Sequence, residues 1–146
     1  MDKKMFCYQC QETAGCTGCT VSGVCGKKPE VAAVQDLLIY VTKGLSAVTT
    51  ELRAQNKRIE EKVNRLIVDN LFATITNANF DQEAITERIT ETLKIKEELL
   101  KETDNTEKLP EAAKWNGIEQ EYAEKAAEFA AFSKHILLIP VQLGGV

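Results

Sequence analysis

An all-α fold is predicted, with a cysteine-rich loop at the N-terminus leading into a bundle of about four helices. Two observations carry this prediction. All five cysteines, Cys7, Cys10, Cys16, Cys19 and Cys25, fall within nineteen residues, interleaved with Gly15, Gly18, Gly23 and Gly26. From residue 29 onward the apolar residues recur at steps of three and four, the period of an amphipathic helix. At 146 residues with 44% apolar content, the chain supports one core and is too short for two independent ones.

Residues 1–28 have little apolar periodicity and form a loop wrapped around something. Pro29 suits a first helical turn, and Val31, Val34, Leu37, Leu38, Val41, Leu45, Val48 and Leu52 define a helix from about 29 to 54. A polar turn at residues 54–56 separates it from a second stretch, about 57 to 76, with Ile59, Val63, Leu66, Ile67, Leu71 and Ile75 on one face. The two are expected to pair as an antiparallel hairpin, with Leu38 buried against the second helix. Asp81 is a suitable N-cap for a third helix, and Phe80 and Ile85 stand at the positions of a hydrophobic staple. That helix should run to about Lys101.

Residues 103–117, with Asp-Asn, Pro110 and Asn-Gly, read as turns, and residues 118 to about 133 as a final helix. Residues 29–134 are thus the bundle, forming one domain with the loop. The stretch 135–146 is a nearly uncharged apolar tail that ends after two glycines, with the texture of a truncated, frameshifted or artificially ended product.

A net charge of −4 and a pI near 5.2 lack the clustered positive charge that nucleic acid or an anionic membrane surface attracts. No run approaches the roughly 18 apolar residues of a membrane span, and no apolar segment follows the first lysines as in a secretory signal. The expectation is a cytoplasmic chain with no nucleic acid and no membrane among its partners. An odd number of cysteines in one compact patch argues against a disulfide framework and for thiolate ligation of a metal or cluster.

The spacing narrows the chemistry without settling it. Cys7-Tyr-Gln-Cys10 delivers two thiolates from one turn, Cys16-Thr-Gly-Cys19 could deliver two more, and Cys25 adds a fifth. Such turns serve a structural zinc ion or an iron-sulfur cluster, in which each iron takes one protein sulfur, or carry redox-active or inert thiols. Glycines between the thiols permit positive φ and let backbone N–H groups face sulfur.

Other conspicuous residues read as structural. His135 is the only histidine. Trp115, Phe6 and Tyr8 are expected to pack or shield the site, and Glu97, Glu98 and Glu102 to form a solvated face paired with lysines such as Lys94 and Lys101. No residue is assigned a catalytic role.

Residues 5–14 (MFCYQCQETA), 17–20 (TGCT), 23–27 (GVCGK) and 35–40 (QDLLIY) resemble the hybrid cluster, or prismane, proteins of the hydroxylamine reductase family. The similarity resumes at 71–80 (LFATITNANF) and 109–115 (LPEAAKW), covers roughly residues 5–126, and fades after about 127. The resemblance implies a 4Fe-4S cluster on the Cys-X2-Cys-X8-Cys-X5-Cys pattern, matched here by Cys7, Cys10, Cys19 and Cys25. Cys16 lies outside that pattern, as a free thiol beside the cluster or an alternative ligand.

The family's activity is reduction of hydroxylamine to ammonia and water, associated with nitrosative stress. It belongs to a hybrid 4Fe-2S-2O cluster whose ligands come from later domains of longer chains. No cysteine follows Cys25 here, so the resemblance implies an electron relay, inactive alone, served by a redox donor protein and completed by the remainder of the hybrid cluster protein. Two other readings are a free-standing iron-sulfur electron carrier and a zinc-stabilised helical interaction module.

Overall fold

The computed structural model describes residues 5–76 and 80–136, with backbone alone for residues 130–136. Among these residues, five helices follow a short 3-10 turn, Ala14–Cys16: α1 (Pro29–Ala54), α2 (Glu61–Ile75), α3 (Gln82–Leu100), α4 (Glu111–Lys114) and α5 (Glu119–Ile136). Among the described residues the only extended pairing is an isolated antiparallel bridge between Cys7 and Cys19. The all-α class is therefore as the sequence predicts. The apolar tail lies outside the described residues except at the end of α5, and so does the side chain of His135.

Helix α1 is the axis of the molecule. Lys28 is extended, as a residue before proline must be, and Pro29 occupies the first turn. The helix ends in a Schellman motif. Asn56 takes the left-handed conformation (φ 60°), its N–H reaches the Arg53 carbonyl (2.9 Å), and the Lys57 N–H reaches the Leu52 carbonyl (2.9 Å).

Twelve of the 26 residues of α1 are buried, so it must be covered on several sides. It packs most extensively on α3, then on α5, α4 and α2. By length and composition α1 is apolar enough to cross a membrane, contrary to the reading of its sequence, but 56% of its most apolar window is buried among the other helices. That is the requirement of a central core helix.

The second helix starts at Glu61, four residues later than its periodicity suggests. Lys57 is committed to the Schellman motif, and Ile59 packs from the extended segment onto the clusters around Val48 and Leu52 and around Leu45, Val63 and Leu66. Its faces also differ from expectation. Asn70 and Thr74 are buried, whereas Val68, Leu71, Phe72 and Ile75 form an exposed apolar stripe. The Asn70 amide explains the rotation, since its Nδ2 donates to Thr42 Oγ1 of α1 (3.2 Å) and Thr92 Oγ1 of α3 (2.8 Å).

Helix α3 is capped as its sequence predicts: Asp81 Oδ1 accepts from the N–H groups of Glu83 (2.9 Å) and Ala84 (3.4 Å). Phe80 and Ile85 meet in the largest core cluster, where Val31, Leu37, Leu38 and Val41 of α1 join Ile89 and Leu93 of α3 and Tyr122, Ala126 and Phe129 of α5. Leu38 is fully buried, but in this cluster with α3 and α5 rather than against α2.

Within the turn-rich segment, α4 brings the Ala112 carbonyl onto α1 at Gly44. A Cβ on that glycine would stand 2.1 Å from the carbonyl oxygen, so the close approach requires glycine. Lys96 of α3 is buried beneath α4 and donates its ammonium to the Ala112 carbonyl (3.0 Å) and the Trp115 carbonyl.

Candidate metal centre

The cysteine loop is shaped by a few hydrogen bonds. Cys7 and Cys19 exchange both backbone bonds at 2.9 Å, placing two thiols on adjacent extended segments. The Thr13 hydroxyl donates to the Cys7 carbonyl (3.1 Å), and the 3-10 turn that follows reverses the chain through positive φ at Gly15 and Cys16. At Gly18 (φ 124°) a Cβ would lie 2.5 Å from the Phe6 ring, so glycine lets Phe6 cover the loop from one side. A second turn, in which the Gly26 N–H donates to the Gly23 carbonyl (2.9 Å) and the Gly23 N–H to the Lys27 carbonyl (2.8 Å), presents Cys25. Met5, Cys7 and Cys19 pack on Ala32, and Gln9 Nε2 donates to Asp36 Oδ1 (3.1 Å), so α1 is the loop's platform.

Cys7 and Cys19 are buried, Cys10 and Cys25 partly buried, and Cys16 exposed; all five are free thiols. Cys10 and Cys16 both line an open groove of about 530 Å³ with Tyr8, Gln9, Gln11, Thr13 and Ile75. Tyr8 is 43% exposed, so the side chain expected to shield the site is at the rim of this groove. Trp115 is part of an aromatic group with Tyr40 and Tyr122 in the bundle. Glu97 pairs with Lys101 (3.5 Å) on a solvated face.

The sulfurs have polar partners. The Ala14 N–H points at Cys19 Sγ (3.4 Å) and the Thr13 hydroxyl lies 3.8 Å from it. Hydrogen bonds from the Ala14 and Val24 backbones hold the Cys19 thiol below its ordinary value. Burial pushes the Cys7 thiol up, against the pull of the Gln9 backbone N–H and of Lys27, whose Nζ stands 3.7 Å from Cys7 Sγ. Burial also pushes the Asp36 carboxyl up to about 7, with Lys27 and Gln9 acting in the opposite direction.

Lys27 and Asp36 were not singled out by sequence reasoning. Both lie inside the motif stretches 23–27 and 35–40, and a charged residue next to a cysteine turn and another one helical turn into an apolar helix was the available signal.

Among the described residues, no three His, Cys, Asp or Glu side chains are grouped so as to hold one metal ion. A mononuclear zinc site draws its ligands to about 2.3 Å of one centre, whereas a cubane takes one sulfur at each of its iron corners. Cys7 and Cys19 on bridged segments and Cys25 on the second turn, with N–H donors and a cation directed at sulfur, are the kind of donor set that thiolate ligation of a cluster requires. Soft sulfur donors also match iron-sulfur chemistry.

The Prismane/CO dehydrogenase family matches residues 5–138, which carries the similarity beyond the point near residue 127 where the sequence reading had it fade. The chain is 53% identical over 120 residues to the hydroxylamine reductase of Desulfovibrio desulfuricans, covering 82% of this chain and 22% of that protein. It is 63% identical over 95 residues to hydroxylamine reductase 2 of Clostridium acetobutylicum (65% of this chain, 17% of that protein). To the hydroxylamine reductase of Bacteroides fragilis it is 48% identical over 122 residues (84% and 22%). The chain thus spans about a fifth of the length of the curated relatives it matches.

Proposed function

The chain belongs to the Prismane/CO dehydrogenase family, and on that premise we propose that its loop holds a 4Fe-4S cluster on Cys7, Cys10, Cys19 and Cys25 and relays electrons within a hydroxylamine reductase. The observation that carries this reading is the Cys7–Cys19 bridge, which sets two buried thiols side by side with N–H groups and an ammonium directed at their sulfurs.

A bound cluster supplies one-electron transfer at nearly constant geometry. The residues of this chain do the rest. Four thiolates would fill one site on each iron, leaving none open to substrate. The Ala14 N–H and the Lys27 ammonium disperse the negative charge that the cluster and its thiolates bring into a partly buried site. Phe6 and the packing on Ala32 exclude water from the Cys7 and Cys19 side. The groove at Cys10 and Cys16 is open, and a redox donor protein or the rest of the assembled enzyme would approach there.

Hydroxylamine reduction, the activity in the relatives' names, belongs in this reading to the assembled enzyme and its hybrid cluster. Five unpaired thiols suit a reducing compartment, the cytoplasm.

Metal analysis of anaerobically prepared protein tests the cluster and its ligands together. The wild-type chain should carry about four iron and about four acid-labile sulfide. Cys16→Ser should retain them and Cys19→Ser should lose most of them. Stoichiometric zinc without sulfide would refute the cluster in favour of a zinc-stabilised module. Loss of iron in Cys16→Ser with retention in Cys19→Ser would reassign the ligands.

A further inference from the structure

Lys27 is 1% exposed, and its Nζ lies 3.7 Å from Cys7 Sγ. The turn from Gly23 to Lys27 holds it there. A Cβ at Gly23 would stand 2.9 Å from both Cys25 Sγ and Lys27 Cβ, so the turn closes tightly on the lysine stem. Burying an ammonium is strongly disfavoured unless negative charge compensates it. Two groups offer that compensation: the Cys7 sulfur and the Asp36 carboxylate, whose charged form Lys27 favours. Asp36 is tied back to the loop through Gln9, which sits between Cys7 and Cys10.

We propose that Lys27 is a positioning residue for electron uptake: its ammonium, held against Cys7 Sγ, favours the reduced cluster over the oxidised one, and Asp36 offsets part of that bias. It rests on Cys7, Cys10, Cys19 and Cys25 being the cluster ligands. A cubane with four thiolates has a net charge of about −2 when oxidised and about −3 once it has taken one electron from a reduced donor such as dithionite. No bond is made or broken and no proton need move. The attraction of a fixed cation grows in proportion to the cluster's charge, and a buried pair is poorly screened. Removing the cation therefore penalises the reduced state more than the oxidised one.

The experiment is an anaerobic redox titration of the whole 146-residue chain, followed by electron paramagnetic resonance at pH 8.5, with iron and sulfide counted first. Lys27→Met and Lys27→Gln should lower the ratio of reduced to oxidised cluster at a fixed ambient potential at least tenfold, equivalent to about 59 mV for a one-electron couple. Asp36→Asn keeps an acceptor for Gln9 while removing the negative charge, and should shift the ratio the other way. Loaded Lys27 variants that titrate with the wild type would overturn the assignment. Should both Lys27 variants lose the cluster, Asp36→Asn decides: a raised potential supports the assignment, and an unchanged or lowered one overturns it. A wild-type chain without iron and sulfide would instead sink the cluster reading on which the assignment rests.

Discussion

Lys96 shows what one buried charge does to this small bundle. Its ammonium is 1% exposed beneath α4, bound to two backbone carbonyls, and burial lowers its pKa from 10.5 to about 8. The unfolded chain therefore binds more protons at this residue than the folded one between about pH 8 and 10.5, and stability rises with pH across that window. Below about pH 8 the lysine is charged in both states and the cost of burying it is fully present. Urea unfolding of the wild type and of Lys96→Met at pH 8 and pH 10 checks this: the wild type should gain stability relative to the variant at the higher pH. A difference that does not change with pH would contradict it.

Residues of this kind were poorly legible in the sequence. Nothing in helical periodicity distinguishes a lysine that clasps carbonyls or sulfur, as Lys96 and Lys27 do, from one that points to water. The cysteines were legible as a set, since their spacing is itself the chemistry. Which of them are buried was not, because that depends on the backbone exchange between Cys7 and Cys19.

Among the elements, α1 was read to its bounds because proline starts it and an asparagine in the left-handed region stops it, both local signals. The third helix was legible for the same reason, through Asp81 and Phe80. The second helix was legible as a helix but not in its orientation: periodicity puts Leu71 and Ile75 on one face with Val63 and Leu66, while the slot between Thr42 and Thr92 selects Asn70. Helix α4, at four residues, is too short to show a period.

Because Leu38 sits where α1 meets α3 and α5, Leu38→Ala should open a cavity at the centre of the largest cluster and cost about 2–5 kcal/mol. Chemical denaturation measures it, and an unchanged midpoint would show that this face is not the core.

For the whole molecule, the question is what 146 residues can do alone. Reduction of an N–O bond needs a metal with an open coordination site and acid groups placed to deliver protons. The proposed cluster has every iron filled, and the one thiol it leaves spare is Cys16, which is exposed. The iron-loaded chain, given reduced viologen and hydroxylamine without oxygen, should form no ammonium above a free-cluster control. Catalytic ammonium production that disappears in Cys25→Ala would make the N-terminal cluster itself the active centre.

The bonds that shape the cysteine loop, from the Cys7–Cys19 exchange to the Gln9–Asp36 tie, all close within residues 5–36. The main apolar cluster does not: Leu38 waits for Ile85 in α3 and for Phe129 in α5. Short closures form early and long ones late. On a ribosome, the cysteine loop is therefore fully made while α1 still has its apolar side uncovered. Closure of the cysteine loop and burial of the core are separate steps, the first resting on contacts close in sequence and the second on contacts far apart.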